Sequence, residues 1–295
     1  RSVLITTFLI ALRSSCALNP LFTAKSSNTR HSVRINSRSR NEAGRGISLS
    51  LNSPQTEETD RMVVEDNSIY RKVFVGISWA VFVGYAALYA PGRDSLAQAA
   101  DNQLLMKILT NPFSSDVNPL FFALFGAMGL IPLIYAQLLI PGSDGQKPLP
   151  ASPFIYGAFG LGFFMLGPYL ALREYRPNPP EPFTSKSKEF LTSKANAFIS
   201  LAYFAYLVVY SVQNQILNYL PEFLAMFKSS LFVNVTSFDF LLLNFWVWEP
   251  MLEDMRRRGM FNEGNASEKL KLLAYWVVPM LGPIIYLIQW PSELN

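Results

Sequence analysis

Residues Leu120–Ile140 have the sequence LFFALFGAMGLIPLIYAQLLI, a run of 21 residues without a charged side chain. An α-helix rises 1.5 Å per residue, so about 20 apolar residues cross the roughly 30 Å hydrocarbon core of a bilayer. Pro141 and Gly142 follow the run, and this pair does not continue a helix. The stretch therefore predicts a transmembrane helix.

Five further apolar runs lie along residues 70–295. They are Val73–Ala90, Phe154–Leu172, Ala195–Val212, Phe232–Trp248 and Leu272–Trp290. Half of the chain is hydrophobic and only 16% is charged, which favours a membrane protein over a soluble one. Residues 70–295 are thus predicted to form an all-α, polytopic membrane helix bundle with about six transmembrane helices. Asn234, Asp239 and Asn244 interrupt the fifth of these runs.

Two shorter segments have apolar residues at helical spacing beside polar ones. In residues 95–109, Leu96, Ala100 and Leu104 share one face, and residues 220–231 show the same pattern around Lys228. Such helices lie on a membrane surface with the apolar face turned toward the lipid. We expect one or two interfacial amphipathic helices in addition to the spans.

The first 41 residues differ from the rest of the chain. They contain seven basic residues and no acidic one, and an apolar run at residues 3–12 is followed by small residues ending at Ala17. The run resembles a signal-peptide core, and the Ser- and Arg-rich stretch after it resembles a transit peptide. The pattern favours a cleaved, two-part plastid leader, with a simple plastid or mitochondrial transit peptide as the alternative. Residues 42–69 are acidic with few apolar groups and predict a disordered polar tail.

The loops of a six-span chain differ in basic charge. Loops after the first, third and fifth spans hold twelve Lys and Arg residues, and the opposite side holds four. The more basic side faces the cytoplasm or the plastid stroma. Six spans would then put the N-terminal tail on the far side, which is an awkward result for an imported protein. Either the tail is translocated or one span is miscounted.

A short motif occurs twice. Met165-Leu-Gly-Pro168 lies in the third span and Met280-Leu-Gly-Pro283 in the sixth. A three-plus-three repeat predicts such a match, and broken helices at corresponding places in two halves are typical of transporters. Gly, Pro, Met and Leu are also common in membrane helices, so a chance match is the alternative.

Few residues of the spans suit chemistry. Cys16 and His31 are the only cysteine and histidine, and both lie in the leader. An ionisable group inside a membrane is a functional candidate, and Asp239 is the best one. The candidate polar residues are Asp239, Asn244, Gln137 and Gln213. Arg256, Arg257 and Arg258 predict a topology anchor or a contact with anionic lipid. No residue pattern predicts a catalytic or metal site.

Several segments carry a likeness to a known family. They are Asn118–Phe121, Met128–Tyr135, Pro153–Tyr156, Gly167–Arg173, Glu253–Gly259 and Pro279–Pro283. In these segments the chain resembles a family of membrane proteins of unknown function shared by cyanobacteria and plastids. The resemblance implies a thylakoid or inner-envelope location, and it implies no catalytic residue.

Two functions remain open. The first is a non-enzymatic, multi-pass protein of a plastid (chloroplast) membrane, with the thylakoid as its expected location. Such a protein would act as an auxiliary subunit or assembly factor of a photosynthetic complex. Its expected partners are the lipid bilayer and subunits of that complex, with no nucleic acid, and its 41 aromatic residues suit chlorophyll or carotenoid. The second is a small-solute or proton-coupled transporter that uses Asp239. A membrane enzyme acting on lipid has the least support.

Overall fold

The described part of the chain is entirely helical. A computed structural model describes residues 54–111, 116–143, 146, 148–174, 186–262 and 264–290, with the backbone alone for 54–68, 186 and 187. No strand occurs among these residues. Contacts divide the chain into Arg1–Tyr70 and Arg71–Asn295, and the second unit holds the helix bundle. The leader predicted for residues 1–41 lies outside the described residues.

Twelve α-helices are described. They are α1 Pro54–Leu88, α2 Ser95–Thr110, α3 Pro119–Leu139, α4 Ala151–Leu161, α5 Phe163–Leu172, α6 Lys186–Leu191, α7 Lys194–Gln213, α8 Leu220–Ser229, α9 Leu231–Trp246, α10 Trp248–Arg257, α11 Ala266–Val277 and α12 Leu281–Gln289. Short 3₁₀ turns follow α3 and precede α8. Helix α1 begins at Pro54, inside the segment for which the sequence predicts a disordered tail. Helices α2 and α8 coincide with the two predicted amphipathic segments.

Four helical segments are long and apolar enough to cross a membrane. They are Ile69–Leu88, Pro119–Gly142, Lys194–Gln213 and Leu231–Arg257. The chain is thus a polytopic membrane protein, but six spans are not confirmed. These four match the first, second, fourth and fifth predicted spans, so the polar residues of the fifth run do not interrupt it.

The third predicted span is broken into a helical hairpin. Helix α4 ends at Leu161, and Gly162 has φ +51°, a left-handed conformation that stops the helix. The chain then reverses direction. The reversal brings Glu174, after the second arm, next to Gln146, before the first, and the Gln146 side chain forms two 3.0 Å hydrogen bonds with the backbone of Glu174. The rings of Phe154 and Tyr169 stack 5.8 Å apart between the two arms. Both ends of the α4/α5 hairpin therefore lie at one end of the bundle.

The sixth predicted span is broken in the same manner. Helix α11 ends at Val277, before Pro279, and Met280 has φ +60°. The Tyr275 hydroxyl donates to Gln289 Oε1 at 2.5 Å, and the rings of Tyr275 and Tyr286 lie 5.6 Å apart. Helices α11 and α12 thus form a second hairpin, and the prediction of one continuous helix over residues 272–290 was wrong.

The two ends of the bundle are distinct. We call the end where Arg71, Gly142, Arg173 and Arg257 meet the hairpin face, because both hairpins begin and end there. The opposite face holds the start of α3 and the 3₁₀ turn before α8, where the Asn118 side chain donates to the Tyr219 carbonyl at 3.4 Å.

The basic residues are distributed unequally between the two faces. Among the residues whose side chains the structure describes, ten Lys and Arg lie at the hairpin face and three, Arg93, Lys107 and Lys228, at the opposite face. The positive-inside rule puts the hairpin face in the cytoplasm or stroma. With four crossings, the span Ile69–Leu88 also starts at that face, and this topology agrees with the distribution of basic residues.

Single-cysteine labelling distinguishes the two topologies. In a Cys16→Ser background, an impermeant maleimide is expected to label Pro148→Cys and Lys194→Cys from the same side of a sealed vesicle, and Thr110→Cys from the other side. Six crossings would instead pair Thr110 with Lys194 and put Pro148 opposite. That second pattern would contradict the hairpin at residues 151–172.

Candidate functional site

The Asp239 carboxylate lies at the tip of the α4/α5 hairpin. Asp239 is buried in α9, eight residues after Leu231, which is about 12 Å along a helix axis. Its Oδ1 accepts a 2.7 Å hydrogen bond from the backbone N–H of Phe163, the first residue of α5. The first N–H groups of a helix lack intrahelical partners, and a carboxylate there also interacts favourably with the helix dipole. Asp239 therefore acts as the N-cap of a helix far from it in sequence.

Gly162 makes this capping contact feasible. Its positive φ is unfavourable for other residues, and a Cβ at this position would overlap the Asp239 carboxylate. The hairpin arms also approach closely at Gly157, where a Cβ would lie 2.6 Å from Met165 Cε. The small residues that the sequence places on this segment thus serve the packing within the hairpin.

Gln137 and its surroundings form a separate polar contact. The buried Gln137 amide donates to Ser200 Oγ on α7 at 3.1 Å. Two residues earlier on α3, the Tyr135 hydroxyl donates to the Leu243 carbonyl on α9 at 2.8 Å. These bonds connect α3 to both neighbouring spans inside the membrane domain.

The four candidate polar residues do not form one site. The Asn244 amide donates to the Phe240 carbonyl of its own helix at 2.8 Å. Gln213 is exposed at the C-terminal end of α7, on the opposite face, whereas Gln137 lies toward the hairpin face. The structure places each of them in a different environment, and only Asp239 lies at a helix break.

The arginine run is partly buried. Arg257 donates to Asp254 at 2.9 Å and to Glu253 at 3.0 Å, and Arg258 donates to Asp254 at 2.8 Å. The Arg258 guanidinium also lies 3.8 Å from the ring centroid of Trp290. The guanidinium of Arg256, the first residue of the run, lies 5.4 Å from the Phe261 ring. Arg257 and Arg258 thus have internal partners in addition to any role in topology.

These arginines belong to a larger ion network at the hairpin face. Its members are Arg71, Arg173, Glu249, Glu253, Asp254, Arg257, Arg258 and Tyr286. They come from α1, from the residue that follows α5, from α10 and the residue that follows it, and from α12. The network therefore connects the first span and both hairpins to the end of the fourth span.

Arg173 is the centre of the ion network. It is 2% exposed, and its guanidinium donates to both oxygens of Glu249 at 2.7 and 2.8 Å and to Glu253. Burial by itself would lower the pKa of Arg173, but the carboxylates of Glu249 and Glu253 outweigh burial and raise that pKa above its usual value. Arg71 donates to Glu249 at 2.8 Å and to the Arg173 carbonyl at 3.2 Å. Each charge in this group faces an opposite charge.

The sequence analysis missed this network. Glu249, Glu253 and Arg257 recur at intervals of four residues, which puts them on one face of a helix and could have indicated a buried polar face. The partner Arg173 precedes Glu249 by 76 residues and has no such signal. Arg173 directly follows an apolar run, a position typical of a residue exposed to water, but its side chain is buried.

Comparisons with known proteins gave no match. No family model, curated protein or solved structure matches the chain. In the part of the chain that the structure describes, no group of three or more His, Cys, Asp or Glu side chains is arranged to hold a metal ion.

Substitution of Gly162 tests the hairpin tip. Gly162→Ala is expected to reduce the free energy of unfolding by about 2 kcal/mol, because it strains the backbone and displaces Asp239 from the N-terminus of α5. Gly84→Ala is the matched control. A Cβ at Gly84 meets nothing within 4 Å, and alanine in a helix interior is favourable by up to about 1 kcal/mol. Denaturation in detergent followed by circular dichroism measures both, and equal stability would contradict the capping role.

Substitution of Glu249 tests the ion network. Glu249→Gln is expected to cost about 3 kcal/mol, because it removes the carboxylate between two buried guanidiniums. The control is Asp116→Asn, which breaks a surface pair with Lys107 whose side chains are 46% and 62% exposed. That change should cost less than about 1 kcal/mol. Similar losses in the two variants, measured by the same denaturation, would mean that the network adds no stability.

Proposed function

We propose that this chain is a non-enzymatic, multi-pass protein of a plastid membrane, with the thylakoid as its expected location, and that it is an auxiliary subunit or assembly factor of a photosynthetic complex. The observation that carries the proposal is the use of polar groups inside the bundle. Asp239, Gln137 and the ion network all bond to other parts of the same chain. Polar groups that bond within the bundle favour a structural role over a catalytic one.

The outward faces of two spans support a partner within the membrane. Val81 on α1 is 65% exposed and Val209 on α7 is 51% exposed, each within a mostly apolar span. Lipid covers such faces by default, and small or aromatic side chains there also permit close contact with another membrane helix. On α7, the rings of Tyr203 and Tyr206 stack with centroids 6.1 Å apart and offer a flat aromatic surface. A carotenoid or chlorophyll ring suits such a surface, because aromatic rings prefer stacked or edge contacts.

The plastid part of the proposal comes from the sequence. The basic leader, the resemblance to a family shared by cyanobacteria and plastids, and the positive hairpin face agree with insertion from the stroma.

Native gels of fractionated plastid membranes test this proposal. The tagged chain is expected to migrate with a photosynthetic complex, and mass spectrometry of the purified band should recover subunits of that complex. The absorption spectrum of the band reports bound pigment. A chain that migrates alone and without pigment would contradict the proposal, as would fractionation with a membrane outside the plastid.

A second candidate is a small-solute or proton-coupled transporter. One observation favours it: the broken α4/α5 hairpin directs the N-terminus of α5 at a carboxylate within the bundle, and discontinuous helices of this kind form the sites of many transporters. Flux into proteoliposomes that is lost in Asp239→Asn, with an unchanged elution volume, would support this candidate. Flux that is the same in the variant would exclude a coupling role for Asp239.

A further inference from the structure

The described chain passes twice through the same order of elements. In residues 69–174, which we call the first half, a span from the hairpin face leads to surface helix α2, a returning span and the α4/α5 hairpin. In residues 194–290, the second half, the span α7 leads to surface helix α8, the returning span α9–α10 and the α11/α12 hairpin. Each half therefore begins and ends at the hairpin face.

The register of residues agrees in the two halves near the opposite face. Tyr85 lies sixteen residues after Ile69, and Tyr210 lies sixteen residues after Lys194. Each tyrosine contacts a residue of the other half, and that residue lies three positions after the start of the other half's returning span. The Tyr85 hydroxyl donates to Asn234 Oδ1 at 2.8 Å, and the Tyr210 ring lies 4.8 Å from the ring of Phe122.

The register also agrees toward the hairpin face. Gln137 lies eighteen residues after Pro119, and Glu249 lies eighteen residues after Leu231. Each bonds to the first span of the other half, Gln137 to Ser200 at 3.1 Å and Glu249 to Arg71 at 2.8 Å. The partners differ by about one helical turn, because Ser200 lies six residues after Lys194 and Arg71 two residues after Ile69. A neutral pair in one half thus takes the place of an ion pair in the other.

The surface helices and the hairpins follow the same exchange. Asp101 on α2 accepts from the Ser230 hydroxyl at 2.5 Å and from the Phe232 N–H at 2.9 Å, at the start of α9. In return, Asn118, at the start of α3, donates to the Tyr219 carbonyl before α8. The Met-Leu-Gly-Pro motif at residues 165–168 lies in the second arm of the first hairpin, three residues beyond Gly162, and the motif at residues 280–283 begins at the break of the second hairpin and continues into its second arm.

We propose that the two halves are copies of one structural repeat, fused in tandem and packed as a two-fold related pair with the axis along the membrane normal. In a two-fold pair, a contact of residue i with residue j implies the contact of j with i, which is the pattern that these bonds follow. Parallel repeats of this kind occur in membrane proteins. The ion network is the main departure from equivalence, because the position of Glu249 in one half is taken by Gln137 in the other.

The repeat has a consequence for the chain order. Since both halves start and finish at the basic hairpin face, the second half can precede the first without changing the side on which any loop lies. Insertion depends on the basic residues of each half, and these do not move relative to their spans.

Cross-linking of the full chain tests the equivalence. In a Cys16→Ser background, a short bis-maleimide is expected to join Tyr85→Cys with Asn234→Cys and Phe122→Cys with Tyr210→Cys to a similar extent. Each single-cysteine chain controls for links between molecules. Reaction of one pair without the other would show that the halves do not make equivalent contacts and would overturn the proposal.

A reordered chain tests the repeat as a unit. In the first reordered chain, residues 186–290 come first and are followed by a flexible linker and then residues 69–180. In the control chain, residues 116–290 come first and the same linker joins them to residues 69–111. The first chain is expected to keep the labelling of Pro148→Cys, Lys194→Cys and Thr110→Cys found in the native order, and the control, cut within a half, to lose it. Loss of the pattern in the first chain, or equal tolerance of both cuts, would overturn the proposal.

Discussion

A backbone N–H group inside a bilayer needs a partner from the protein, because no water is present to bond to it. This requirement governs the structure at the tip of the α4/α5 hairpin, where Gly162 stops one helix and the N–H of Phe163 begins another. The carboxylate of Asp239 supplies the partner from α9. The hairpin, the return of the chain to its starting face and the count of four crossings all depend on that contact.

The charged groups follow the same requirement at the hairpin face. Arg173 ends the first hairpin inside the protein, where an isolated guanidinium would be costly, and Glu249 and Glu253 compensate its charge. Tyr286 attaches the second hairpin through Asp254 at 2.7 Å. Because these partners come from different segments, the network fixes both hairpins relative to the spans. Asp239 and Gln137, two of the candidate polar residues, likewise bond to other helices of the bundle.

The two halves explain why this arrangement is economical. Each broken segment lies after a returning span, so a single module of span, surface helix, span and hairpin, used twice, supplies the described helices of the bundle other than α6. The contacts of Tyr85 with Asn234 and of Tyr210 with Phe122 occupy corresponding places in the interface between the halves. The outer faces of both halves are largely apolar and suit contact with lipid or with a membrane partner.

The sequence by itself predicted the helical class, the four long apolar helices and the helices at residues 95–109 and 220–231, because apolar length and periodicity are local properties of the chain. It also identified Asp239 and the repeated motif. Only the tertiary structure decided that residues 154–172 and 272–290 turn back, since a break is stable only when a distant residue satisfies it, and Asp239 is 76 residues from Phe163. The same reason hid the ion network: Glu249 and Arg173 become partners through packing, which no local pattern records.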